Sequence, residues 1–240
     1  MEAKNIKINP KVFFKINFLI ITTLISLHII FQLCNYYFSN IPSFPDIRIY
    51  NSFNLGVERN IPTAYQASMI FISSILLVLL ALSSKSKKDK LYFGSLSFLF
   101  FYIGWDEIFV LHEKISRPLK VYWNTSGFLH YAWVIPYAIL VLIISLIFYS
   151  FVKSFPVRIR NLIFFSGFIY VLGEIGFEMI SGNLISLYGP KWEFNQTQIF
   201  YHSFLITIEE SFGLVGILFF NFALLKLLKI RSEIIKIRIS

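Results

Sequence analysis

Six acids interrupt the apolar stretches of this chain: Asp106, Glu107, Glu174, Glu178, Glu209 and Glu210, with His112, Glu113, His130 and His202 near the ends of the same stretches. Carboxylates and imidazoles are the groups that ligate hard or borderline divalent cations, pass protons, or act as general acid and base. Residues three, four or seven apart in a helix share a face. Asp106 with Glu113, Glu174 with Glu178, and His202 with Glu209 form such sets, although Ile206 interrupts the last. Ser203, Thr207 and Glu210 make a more continuous row, turned by about 100°. Either row can face inward. His130, Trp133 and Tyr137 make a further stripe, and Glu58-Arg-Asn-Ile-Pro62 offers Arg59 as a cation to offset or gate the acids.

The elements carrying these residues are long and apolar. The chain has 240 residues, 56% hydrophobic and 19% aromatic, with a mean hydropathy of +0.67 and only 15% charged residues. A soluble domain carries about a quarter, so soluble, disordered and nucleic-acid-binding readings are excluded, the last because the +9 net charge flanks apolar runs instead of forming a stripe. Six stretches reach the roughly 20 residues needed to cross a bilayer: Phe13 to Leu33, Thr63 to Leu82, Leu91 to Leu111, Leu129 to Val152, Leu162 to Ile180 and Phe200 to Leu225. The expected fold is an all-α, polytopic transmembrane bundle of six helices in one domain, with the segment 34–62 as a long outer loop. The first span is expected to be an uncleaved anchor. Cys34, the single cysteine, excludes an internal disulfide.

Sixteen Lys and Arg lie in one alternating set of termini and loops and six in the other, which predicts cytoplasmic termini by the positive-inside rule. That orientation puts all six buried acids in the outer half of the bilayer. Each costs about 2.5–3.5 kcal/mol if ionised near a helix centre, so their retention points to function. Gly173, Gly176, Gly213 and Gly216 would let helices approach closely beside them.

The blocks Glu58-Arg-Asn-Ile-Pro-Thr63, Trp105-Asp-Glu, Leu111-His-Glu113, Gly173-Glu, Glu178-Met and Glu209-Glu210 resemble those of uncharacterised bacterial multi-pass membrane proteins, over about residues 55 to 225. The resemblance implies a bacterial inner membrane and no particular activity. His-Glu-x-x-His, the Glu-x-x-His pairs of di-iron bundles and the His-x-x-x-His pair of intramembrane hydrolases are all missing from the sequence.

The leading expectation is an outer pocket of Glu107, His112, Glu113, Glu174, Glu178, His202 and Glu209 that binds a divalent cation (Zn, Mn or Fe) or relays protons in coupled transport, with Glu58 and Arg59 as gate. Two alternatives stand beside it. One is a metal-assisted enzyme acting on a lipid or isoprenoid, with Asp106 or Glu178 as catalytic base; the other is a non-catalytic assembly partner. The expected partners are the lipid bilayer, with anionic lipid at the basic C-terminus from Lys226 to Arg238, and no nucleic acid.

Overall fold

The computed structural model describes residues 8–38 and 46–231, and among these the regular structure is helical throughout. Eight helices follow in order: α1 (Pro10–Phe38), α2 (Ile47–Phe53), α3 (Ile61–Ser83), α4 (Lys87–Phe109), α5 (Leu111–Trp123), α6 (Val134–Lys153), α7 (Val157–Tyr188) and α8 (Gln196–Arg231). A π turn at Leu172–Phe177 lies inside α7. Five of the eight (α1, α3, α6, α7 and α8) are long and apolar enough to cross a membrane, and α4 with α5 makes a sixth if that bent pair is counted as one span.

Local chemistry sets the starts. Asn60 caps α3, its side chain accepting the Thr63 amide at 3.2 Å, and Pro62 sits in the first turn, where its missing N–H costs nothing. The Asn60 amide also donates to the carbonyls of Asn51 and Asn54, fixing the loop that carries Glu58 and Arg59. Asp46 caps α2 through the Arg48 amide, and Ser86 caps α4 through that of Asp89.

The bundle is layered along its length. At one end Leu77, Leu80, Phe93, Phe151, Ile159 and Leu227 form an apolar cluster, closed by Arg231, which donates to Asp89 at 2.9 Å and to Ser84 at 3.1 Å. A second cluster of Ile21, Leu55, Met69, Ile70, Leu214 and Leu218 fills the middle. The long α8 is the central post, packed by α1, α3 and α7. Buried polar side chains pair across it. Asn221 donates to the Met69 carbonyl and accepts from Ser73, each at 2.8 Å, tying α8 to α3. His28 of α1 accepts the Leu55 amide on Nδ1 at 3.1 Å, so its proton sits on Nε2, which donates to Thr207 at 3.0 Å. That imidazole is a structural clamp joining α1, the loop before α3, and α8. By contrast, α6 is anchored near its two ends and leaves Ile139, Leu142, Ile143, Leu146 and Ile147 exposed.

The structure departs from the sequence expectations in two places. The segment 34–62 is not all loop: α1 runs on to Phe38, because no Gly or Pro interrupts it before Pro42, and α2 adds two turns. Residues 39–45 lie outside the described residues, as do residues 1–7 and most of the basic C-terminal segment, 232–240. The third span also stops early. Val110 adopts a left-handed conformation at φ 54°, and the chain turns by 78° into α5. The Asp106 carboxylate stabilises that elbow by accepting the His112 backbone amide at 2.8 Å, an otherwise unpaired donor of the new helix.

Candidate functional site

The acids gather at the end of the bundle where α4 stops. Asp106 is buried and fully engaged: beyond the His112 amide, it accepts from His112 Nδ1 at 3.3 Å and from the Tyr137 hydroxyl at 3.0 Å. The elbow is what makes this possible. In an unbroken helix Asp106 and Glu113 would have shared a face; the bend instead folds His112 back over Asp106 and leaves Glu113 exposed on α5. Trp133 packs against both neighbours, tilted by 56° to the His112 ring at 4.8 Å and edge-to-face with that of Tyr137 at 5.1 Å.

Glu174 projects from the π turn of α7 and accepts from Gln66 of α3 at 3.0 Å. The approach of α8 is close here. A Cβ on Gly213 would stand 2.2 Å from Glu174 Oε1, and one on Gly173 would stand 2.8 Å from the Glu209 carbonyl, so both glycines are required by contact. Glu107 lies within electrostatic reach of Glu174, Glu58 and Asp106 and beside Gln66. One turn beyond Glu174, Glu178 meets Glu209 carboxyl to carboxyl. Glu210, on the neighbouring row of α8, interacts with Glu174 and Glu107. Tyr170 and Tyr131 border the same group.

Donors are scarce in this space. Gln66 Oε1 and Glu209 Oε2 are buried acceptors that receive no donor, and the buried Trp133 N–H lies beside the Glu178 carboxylate without a well-formed hydrogen bond. Among the described residues His112 is the one side chain ion-paired to an acid of the group, through Asp106. At the rim, Glu58 is desolvated by the protein around it and its pKa is raised, with Glu113 and Glu178 adding to the shift and His112 and Arg59 opposing it. Glu58 nevertheless keeps an exposed edge, where water screens much of this effect.

Two histidines fall outside the group. His202 is buried, but it meets Ser181 at 3.3 Å and the Phe194 ring at 5.7 Å, not the carboxylates; Ile206 in the stripe already marks the separation from Glu209. His130 joins Ser186 at 2.9 Å and Lys120 at 3.0 Å, and its pKa is lowered by burial and by the charges of Lys120 and Lys191. Sequence reasoning missed Gln66 and Tyr170, neutral residues whose only signal is a polar atom within an apolar run. Tyr137 was visible only as part of an interfacial stripe. Among the described residues no three His, Cys, Asp or Glu side chains are grouped so as to hold a metal ion. The expectation of Zn, Mn or Fe finds no support in this arrangement.

A helical bundle with spans of membrane length and an acidic site between them is the class that fold and site define. Residues 19–227 match the family described as "Domain of unknown function (DUF8692)", and the chain belongs to that family. No curated protein and no solved structure matches it.

Proposed function

We propose that this is an integral membrane protein of six spans, with α4 and α5 together forming the third and both termini cytoplasmic, whose acid cluster holds and exchanges protons with the outer side. The sixteen-to-six division of Lys and Arg supports the orientation. The bare apolar flank of α6 supports the lipid environment. The bacterial inner membrane is the location implied by the resemblance.

The observation that carries the proton reading is the excess of acceptors over donors. Glu178 and Glu209 meet carboxyl to carboxyl, and Glu209 Oε2 and Gln66 Oε1 have no donor. Two carboxylates in contact cannot both be ionised in a low-dielectric site; one proton shared between them removes the repulsion and supplies the missing donor. The same argument extends to Glu107, Glu174 and Glu210. The opposite end of the bundle is filled by the Leu77, Phe93 and Leu227 cluster, so exchange is one-sided and suits proton-coupled binding or transport better than a continuous proton wire.

Infrared difference spectroscopy on the protein in lipid vesicles tests this. A band from protonated carboxyl groups should be present at neutral pH, diminish on a jump to alkaline pH, and lose intensity in Glu178→Gln and in Glu209→Gln. Absence of the band in wild type, or an identical band in both variants, refutes shared protons.

A further inference from the structure

Outside the acid cluster, at the elbow between α4 and α5, three cations face one cavity. Arg59, from the loop before α3, and Lys114 and Arg117, from α5, line a space of about 590 Å³ whose acidic members are Glu58 and Glu113. A volume of that size is typical of small-molecule sites, which run from about 300 to 1,000 Å³. All three cations are exposed, and the ion pairs found among the described residues, His112 with Asp106 and Arg231 with Asp89, involve none of them. A second cavity of about 430 Å³ shares Glu58 and Arg59 and adds the polar side chains of Asn51, Ser52 and Asn60.

The backbone adds an independent sign. Arg59 sits at φ 61°, in the left-handed region, which is strained for a side-chain-bearing residue and is found where surrounding structure imposes it. Here the Asn60 cap and its bonds to Asn51 and Asn54 impose it, and the result holds the guanidinium against the cavity. The 78° turn into α5 places Lys114 and Arg117 across from it. On α5 these cations share the helix with exposed Ile115, Val121, Tyr122 and Trp123, the amphipathic composition of a segment that bends away from the apolar part of the third span toward headgroup depth.

We propose that this cavity recognises a phosphate ester, with Arg59 and Arg117 clamping its oxygens, Lys114 adding a third charge, and Glu58 and Glu113 receiving hydroxyl or ammonium donors of the same headgroup. Guanidinium groups match phosphate geometry in bidentate fashion, whereas an ammonium contributes a point charge. The two acids give the site both signs of charge, which suits a polar headgroup better than a bare anion. The site is distinct from the proton-sharing pairs and stands whether or not those pairs exchange protons.

The experiment uses the full chain in a phosphate-free sugar detergent, titrated calorimetrically with short-chain phosphatidylglycerol and, separately, with inorganic phosphate. Saturable binding of the phospholipid alone identifies a lipid headgroup as the source; binding of inorganic phosphate with comparable affinity identifies a free phosphate compound. In either case Arg117→Gln and Arg59→Gly should each weaken binding by about tenfold to a hundredfold, the loss of one charge-assisted contact. Arg59→Gly is chosen because glycine takes the positive φ without strain, so the variant should unfold at or above the wild-type temperature while losing the clamp. Failure of both probes to saturate, or unchanged binding in both variants, overturns the proposal.

Discussion

Placing a single methyl group on α8 should disable the acid cluster while leaving every charged residue in place. In Gly213→Ala the new Cβ would lie 2.2 Å from Glu174 Oε1, where ordinary contact begins at 3.4 Å, so the carboxylate must withdraw by the difference, about 1.2 Å. Gln66 blocks the adjacent space at 3.2 and 3.3 Å. A withdrawal of that size breaks the 3.0 Å bond from Gln66 to Glu174 and moves Glu174 relative to Glu107 and Glu178. Overpacking typically costs about 1–3 kcal/mol, which for a chain of this size lowers Tm by roughly 2–12 °C. The assay is thermal unfolding in detergent together with the infrared carboxyl band in vesicles. Shortening the acid supplies the control: Glu174→Asp retracts the carboxylate by about one C–C bond, roughly 1.5 Å, enough to clear the methyl. The double variant Gly213→Ala with Glu174→Asp should therefore recover at least half of the lost Tm. A favourable coupling of about 0.5–3 kcal/mol is the expected range for residues in contact. If Gly213→Ala unfolds and absorbs like wild type, or if the two losses simply add, the close packing of Glu174 against α8 is refuted.

Three further outcomes follow from the same geometry. His28→Leu should cost about 1–3 kcal/mol by stranding the buried Leu55 amide, with the carboxyl band unchanged, since this histidine serves α1 packing and not the acid cluster; thermal unfolding with the infrared readout checks both parts. Tyr137→Phe should cost about 1.5–3 kcal/mol, because it removes a donor to the buried Asp106 carboxylate, and a loss below about 0.5 kcal/mol would show that the bond is not made. In a Cys34→Ser background, Ser86→Cys at the start of α4 should resist an impermeant thiol reagent in sealed cells and Ser126→Cys should react; the reverse pattern overturns the orientation.

The positions of the long helices were legible because each is a sustained apolar run closed by charges or turn formers such as Lys85-Ser-Lys-Lys-Asp-Lys90. The break at Val110 was not, since valine is an ordinary helix residue and what bends the chain is a tertiary contact between Asp106 and His112. For the same reason helical spacing paired Asp106 with the wrong partner. On α8, spacing alone could not choose between the His202–Glu209 stripe and the Ser203–Thr207–Glu210 row. The structure divides them: Thr207 goes to His28, His202 to Ser181, Glu209 to the acids of α7, and Glu210 to those of α4 and α7. Which neutral residue would sit among those acids was also hidden, because Gln66 is indistinguishable in sequence from any other polar residue of a span.

The π turn of α7 carries information that substitutions cannot reach. A π turn holds one more residue than an α turn, and an α-helix advances about 100° per residue, so the turn absorbs a residue that would otherwise shift the rotational phase of everything downstream of Leu172–Phe177. Glu178, Ser181 and Gly182 face their partners on α8 and in the α5–α6 connection only in the unshifted phase. Side-chain scanning would leave the phase intact at every position, and deletion of one residue between Leu172 and Phe177 would relax the turn to α with Glu178 still facing Glu209, whereas a deletion elsewhere in α7, which no π turn absorbs, would swing Glu178 away by about 100°. Part of the specification of this site is thus written in the length of the chain, and insertions and deletions are the changes that can edit it.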